Sequence, residues 1–171
     1  MTESTMVQAL AAGAISLAVL GSASAAPVVV NKEVILAEHN KYRAEVGVPP
    51  LIWSDKLAQG AQRWADTIAA VDQMKHSGTS GVGENLAYWK GSTSSLGTLI
   101  GQWGAEKQLF KFGTFPDVSR DGKWLSVSHY TQIVWRQTTE VGCGVGHSAG
   151  KSDFLVCWYN PQGNYMGKVP Y

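Results

Sequence analysis

Cysteine is scarce in this chain: 171 residues hold two, Cys143 and Cys157. Many cross-links are therefore excluded as the source of stability, and a chain of this length can bury a real core without them. Charge of one sign is also lacking, because 14 Lys and Arg face 13 Asp and Glu for a formal net charge of +1. No basic field exists to grip a phosphate backbone, which argues against nucleic acid as a partner. Long hydrophobic runs are missing too. The apolar stretch near the N-terminus is too short to span a bilayer, so no stable membrane span is expected. Neither an internal repeat nor a second domain is visible.

What the chain does have is aromatic side chains and glycine: seven Trp, six Tyr and four Phe beside 19 Gly. That composition describes large rings packed among irregular connections and excludes a disordered tail. The N-terminal "MVQALAAGAISLAVLGSASA" ends in the small-x-small triplet Ala23, Ser24, Ala25 and reads as a cleaved secretory signal over residues 1–25. Its n-region "MTEST" carries Glu3 and no Lys or Arg, unless translation begins at Met6. The alternative is a disordered or membrane-tethering tail. Residues 26–171 are then the mature single domain, destined for an oxidising compartment: extracellular, or periplasmic in a bacterium.

Export changes the meaning of the two cysteines. In "EVGCGVGHSAGKSDFLVCWYN", Val141, Cys143 and Val145 alternate with small residues, and Leu155, Cys157 and Tyr159 alternate on the second run. This is a hairpin pattern. Centring the turn on Gly150 sets Cys143 opposite Cys157, a geometry that permits a bridge; two small buried thiols on adjacent strands are the alternative.

Earlier in the chain, Asn31 is placed to cap a first helix carrying Val34, Ile35, Leu36, Tyr42 and Val46, stopped by Gly47 and Pro49-Pro50. After the extended "LIW", Ser54 is placed to cap a second helix whose Leu57, Ala61, Trp64, Ile68 and Val71 form one buried stripe. Residues 74–95 read as a long irregular connection with a strand at 85–89. A third helix is predicted over residues 96–110. Its Leu99, Trp103, Glu106 and Phe110 share one stripe, which leaves the Glu106 carboxylate among apolar neighbours and in need of a partner. An aromatic loop, "FKFGTFPDVSRDGKW", leads to a short fourth helix capped near Ser128.

Two histidines lie among small residues, His76 in "KHSG" and His129 in "VSHYT", and Glu84 follows glycine in "GENLA". Spacing alone does not bring these groups together. However, "SHYTQIVW", "FLVCWYNPQGNY" and "GENLA" resemble signature segments of the CAP superfamily, which includes cysteine-rich secretory proteins, venom antigen 5 and plant pathogenesis-related proteins of the first class. The start, "LAEHNKYRAEVGVPPLIWSDKLAQGAQRWA" with His39, Asn40 and Arg43, is similar to the start of that family, and the resemblance runs over residues 33 to 167. It departs at Ser128, where glycine or an acidic residue is common, and at Trp158, usually a polar position. The further cysteines usual in plant and animal members are absent.

The resemblance implies an α+β fold, a three-layer α-β-α sandwich around a central antiparallel sheet, and a cleft in which His76, Glu84, Glu106 and His129 converge. It further implies a divalent ion such as Zn2+ on the two histidines, with Glu84 and Glu106 fixing the ring tautomers and no organic cofactor. A buried polar network that only braces the fold is the alternative. Relatives in the family bind sterols, fatty acids or other small lipids. The matching surface here is the aromatic loop, Phe112, Phe115 and Trp124 with Phe110 and Trp89, edged by Lys111, Arg120 and Lys123; the alternative is that these rings fill the core. A Ser-His-Glu protease has been proposed for parts of the family, and Ser126 and Ser128 lie near His129, yet no nucleophile elbow or zincin helix occurs. The expectation is a non-catalytic secreted binding protein. The other class is an effector or defence protein that meets a host or cell-surface protein through its surface.

Overall fold

The computed structural model describes residues 28–91 and 95–171 together with Met1. The expected signal segment, Met1 apart, lies outside the described residues. Helix α1, Lys32–Glu45, starts where Asn31 accepts a hydrogen bond from the Val34 amide at 3.0 Å, as expected of that cap. It stops at Gly47, whose φ of +69° lies in the left-handed region that favours glycine, ahead of the two prolines. The buried face of α1 is Ile35, His39, Tyr42 and Arg43, so half of it is polar.

Strand β1 is only Ile52–Trp53. Helix α2, Asp55–Ala70, buries Leu57, Gly60, Ala61, Ala65, Ile68 and Ala69, a stripe of mostly small residues. Ser54 holds the N-cap position without a capping side-chain bond. Val71, expected on the buried stripe, sits past the helix end and is exposed, because the helix has already terminated and nothing packs over that position. Strand β2 runs over Gly83–Lys90, longer than expected, and therefore includes Glu84.

Helix α3, Leu96–Ala105, is capped by Ser95, whose hydroxyl accepts from the Thr98 amide at 3.1 Å. The predicted helix to residue 110 is corrected here: α3 ends at Ala105 and the chain tightens into a 3-10 turn at Glu106–Gln108, where the Glu106 carboxylate meets the start of the fourth helix. A second 3-10 turn, Trp124–Val127, leads into helix α4, Ser128–Ile133. Ser128 does not cap α4; its hydroxyl donates to the Leu125 carbonyl at 3.1 Å.

Strands β3, Glu140–His147, and β4, Ser152–Asn160, form the expected hairpin with Cys143 opposite Cys157, and the two are joined as a disulfide. The sheet order is β1-β3-β4-β2; its three long strands are antiparallel, and β1 adds a short parallel edge to β3.

Alternation along β3 decides what covers each face. Gly142, Gly144 and Gly146 point at α2, where an added Cβ would fall on the helix backbone at Ala58, Gln62 and Ala65. The helix therefore lies directly on the sheet, sealed by Ala61, Ala65, Ile68, Ala69, Leu86, Phe154 and Val156. The opposite face, with Val141, Cys143 and Val145, joins the larger core with α1, α3 and α4. This is an α+β sandwich of three layers. Among the described residues no helix is long and apolar enough to cross a membrane.

Candidate functional site

The loop after α2 and the start of β2 place the first histidine. His76 Nδ1 lies 2.6 Å from Glu84 Oε1, which also accepts from the Ser77 amide at 2.9 Å. The other oxygen, Oε2, accepts from the Trp158 indole N–H at 2.8 Å. Glu84 is thus buried, with its side chain 8% exposed, while the His76 side chain is 65% exposed. Trp158, the unusual residue after the last cysteine, has a specific role: it braces Glu84 across the β2–β4 ladder, and its ring fills the space left by Gly60 of α2.

The second histidine begins α4 and is held more tightly. Glu106 Oε1 lies 2.6 Å from His129 Nδ1, and Oε2 accepts from the amides of His129 and Tyr130, each at 3.0 Å. The carboxylate that looked stranded on an apolar stripe therefore supplies the N-terminal cap of α4 from another helix, in place of Ser128. The Trp103 ring stacks on the imidazole at 5.9 Å between centroids and 18° between planes. Trp103 is itself fixed by its indole N–H on the Leu86 carbonyl.

Both pairs share one chemistry. A carboxylate against Nδ1 draws the proton of a neutral ring to that nitrogen and leaves the Nε2 lone pair outward. Among the described residues neither Nε2 makes a hydrogen bond. The four residues fall into two His-Glu pairs. Glu84 shares a face of the sheet with Trp158 and α2, and the next residue, Asn85, donates from the other face to the His129 carbonyl at 3.2 Å. Among the described residues no group of three or more His, Cys, Asp or Glu side chains is gathered closely enough to hold a metal ion.

Ser126 Oγ donates to Asp121 Oδ2 at 2.8 Å, so neither this hydroxyl nor that of Ser128 is directed at an imidazole.

The aromatic loop divides. Phe115 is 1% exposed, wedged edge-on between Trp124 and Trp135, and is a core residue with no face for a ligand. Phe110 is buried as well. Trp124 and Trp89 are half-buried. Phe112 is 61% exposed and rests on Tyr171 at 5.3 Å. Beside it Lys111 pairs with Asp117, and Arg120 Nε donates to the Phe110 carbonyl. Exposed Leu109 follows the first 3-10 turn and exposed Leu125 lies in the second, on the two sides of this loop, and exposed Met166 and Val169 belong to the C-terminal tail hydrogen-bonded to Phe115. A separate apolar cavity of about 320 Å³, with Val28, Val29, Val34 and Leu96 among its walls, opens between the starts of α1 and α3.

Sequence reasoning missed Asn85, Trp103, Trp158 and Tyr159 as parts of the site. The signal available was local: Asn85 adjoins Glu84, and Trp158 replaces a polar residue.

A three-layer sandwich with paired His-Glu groups at the start of β2 and at the junction of α3 and α4 defines a class of small disulfide-bonded domain. The family model described as "CAP: Cysteine-rich secretory protein family" matches residues 36–159, and the chain belongs to that family. Pathogenesis-related protein 1C of Nicotiana tabacum is 37% identical over 136 residues, covering 80% of this chain and 78% of the relative. Among solved structures, BmVAL-1 matches with a TM-score of 0.68 at 27% identity, over 82% of this chain and 81% of the other. NaASP2, solved with Zn2+, matches with a TM-score of 0.68 at 24% identity over 82% and 84%, a likeness of fold.

Proposed function

We propose that this chain is a secreted, non-catalytic binding protein that offers His76 and His129 to a divalent cation such as Zn2+ and carries a small lipid, sterol or fatty acid on its apolar surface. The observation that carries the metal reading is the pair of unclaimed Nε2 atoms, each on a ring whose other nitrogen is held by a buried or half-buried carboxylate. Glu84 and Glu106 are the orienting groups; water completes the coordination. A bound ion would supply Lewis acidity and a bridge between the loop after α2 and the start of α4. With two protein ligands the affinity is modest.

The lipid reading is supported by the apolar surface left in water around Phe112 and Trp124, and by the aliphatic walls of the cavity between α1 and α3. Phe115 is no longer part of it. Secretion is supported by the predicted signal over residues 1–25 and by the disulfide; the functional unit is then residues 26–171.

Native mass spectrometry of the secreted protein, prepared without chelator or detergent, tests all of this. Zinc retained by the wild type is expected to be lost in His76→Ala and His129→Ala while both variants stay folded. A sterol or fatty-acid adduct is expected to weaken in Val34→Asp if the cavity holds it, or in Phe112→Asp if the loop does. A protein that takes neither zinc nor lipid would leave recognition of a host or cell-surface protein as the function.

A further inference from the structure

His39 lies in the middle of α1 with no exposure, outside the two His-Glu pairs. Its Nδ1 is 2.7 Å from the Ile35 carbonyl, which can only accept, so Nδ1 carries the proton and Nε2 is the acceptor. The Tyr159 hydroxyl, 2.8 Å away, donates to that Nε2. The same phenolic oxygen accepts from Asn85 Nδ2 at 3.1 Å, and the Asn85 amide also donates to the His129 carbonyl at 3.2 Å. Asn85 and Tyr159 are both buried. Donation runs outward from the Asn85 amide in two directions, through Tyr159 and His39 to the Ile35 carbonyl on one side and to the His129 carbonyl on the other; both ends are carbonyls that can only accept, which fixes the direction of each link.

A second contact closes the loop. The Trp103 ring that stacks on His129 meets the His39 ring edge-on, with centroids 6.2 Å apart. His129 is therefore fixed at its ring nitrogen by Glu106, at its ring face by Trp103 and at its carbonyl by Asn85. Among the described residues His76 has its carboxylate partner, Glu84, and no such backing.

We propose that His39, Tyr159 and Asn85 are positioning residues that fix the direction of His129 Nε2, so that the affinity of the candidate metal site is set partly from helix α1. The affinity clause rests on the metal reading above; the position of the ring can be read without metal.

The test is two-dimensional NMR of the histidine side chains in metal-free protein, joined to Zn2+ titration by calorimetry. Tyr159→Phe removes one oxygen and keeps the ring; Asn85→Ala cuts the last link and leaves the His39-Tyr159 pair intact. Both are expected to move the His129 ring resonances, leave those of His76 in place and weaken Zn2+ by roughly tenfold, the scale of a lost outer-sphere partner. Trp158→Phe, which removes a donor to Glu84, should do the reverse and move only His76. Unmoved His129 resonances in either folded variant would overturn the proposal, whatever the thermal stability does. If the His129 ring moves but the wild type binds no Zn2+, the metal reading fails and the positioning role stands. Zn2+ binding that is identical in wild type and variants, with unmoved resonances, would do the opposite.

Discussion

Arg43, one turn along α1 from His39, is also fully buried and, among the described residues, is a cation without a carboxylate partner. Its guanidinium instead donates to four carbonyls, those of Pro49, Ile133, Trp135 and Thr138, at 2.6 to 2.9 Å. Burial, with Arg136 as a lesser cause, lowers its pKa to about 10, so it remains charged at neutral pH. His39 takes the other course and remains neutral. Desolvation lowers its pKa from 6.5 to about 4, opposed by the Ile35 carbonyl and helped by Arg43. The unfolded chain therefore binds one more proton than the fold between those two values. Stability is unaffected above pH 6.5, falls by about 1.4 kcal/mol per unit as the pH drops through the window, and is down by about 3 kcal/mol near pH 4. Asp121, held at about 2 by Ser119, the Lys123 amide and Ser126, titrates below this window and does not blur it. Urea denaturation at half-unit pH intervals checks the prediction, and a flat profile from pH 6.5 to 4.5 would refute it. The motif "EHNKYR" was legible as a family resemblance, but Tyr159 on His39 and the Ile133, Trp135 and Thr138 carbonyls on Arg43 lie 90 to 120 residues away, beyond the reach of helical periodicity.

At the scale of elements, local chemistry in the sequence was a good guide wherever the cause was local. The Asn31 cap, the stop at Gly47 and the hairpin register follow from residues within a few positions of each other. The end of α3 was not legible in this way. Its stripe runs on past Glu106 in sequence, yet the backbone tightens there because the carboxylate caps α4, whose amides are 23 and 24 residues further along. The seating of α2 was also hidden. Alternate glycines in β3 read only as small residues in a hairpin, although they are what lets a helix lie on a sheet with its backbone in contact. Gly144→Ala tests that seating, because a Cβ there would fall on the Gln62 Cα, and backbone cannot yield as a flexible side chain can. It is expected to cost about 1–3 kcal/mol, the usual penalty of overpacking a close contact. Thermal unfolding would show the loss, whereas an unchanged midpoint would mean that α2 can shift on the sheet.

For the whole molecule, the question is how much of the frame depends on the one cross-link. The bridge spans β3 and β4 at the centre of their ladder and closes a loop of 14 residues, so chain entropy assigns it about 3 kcal/mol. The same two strands are joined by a continuous register from Glu140 opposite Asn160 to His147 opposite Asp153, and α2 lies along them. Those contacts survive the loss of two sulfur atoms. The His129 pair is fixed by α3, α4 and β2, and Glu84 by Trp158 and Ser77, through hydrogen bonds that involve neither cysteine. Replacing Cys143 and Cys157 together by alanine should therefore lower unfolding stability by about 3 kcal/mol and leave Zn2+ affinity within roughly a factor of two. Paired urea denaturation and calorimetry decide it. Should affinity fall along with stability in protein that is still folded, the bridge would be holding Cys157 in register beside its ladder partner Asn85, and the proposed metal site would depend on the disulfide through that residue.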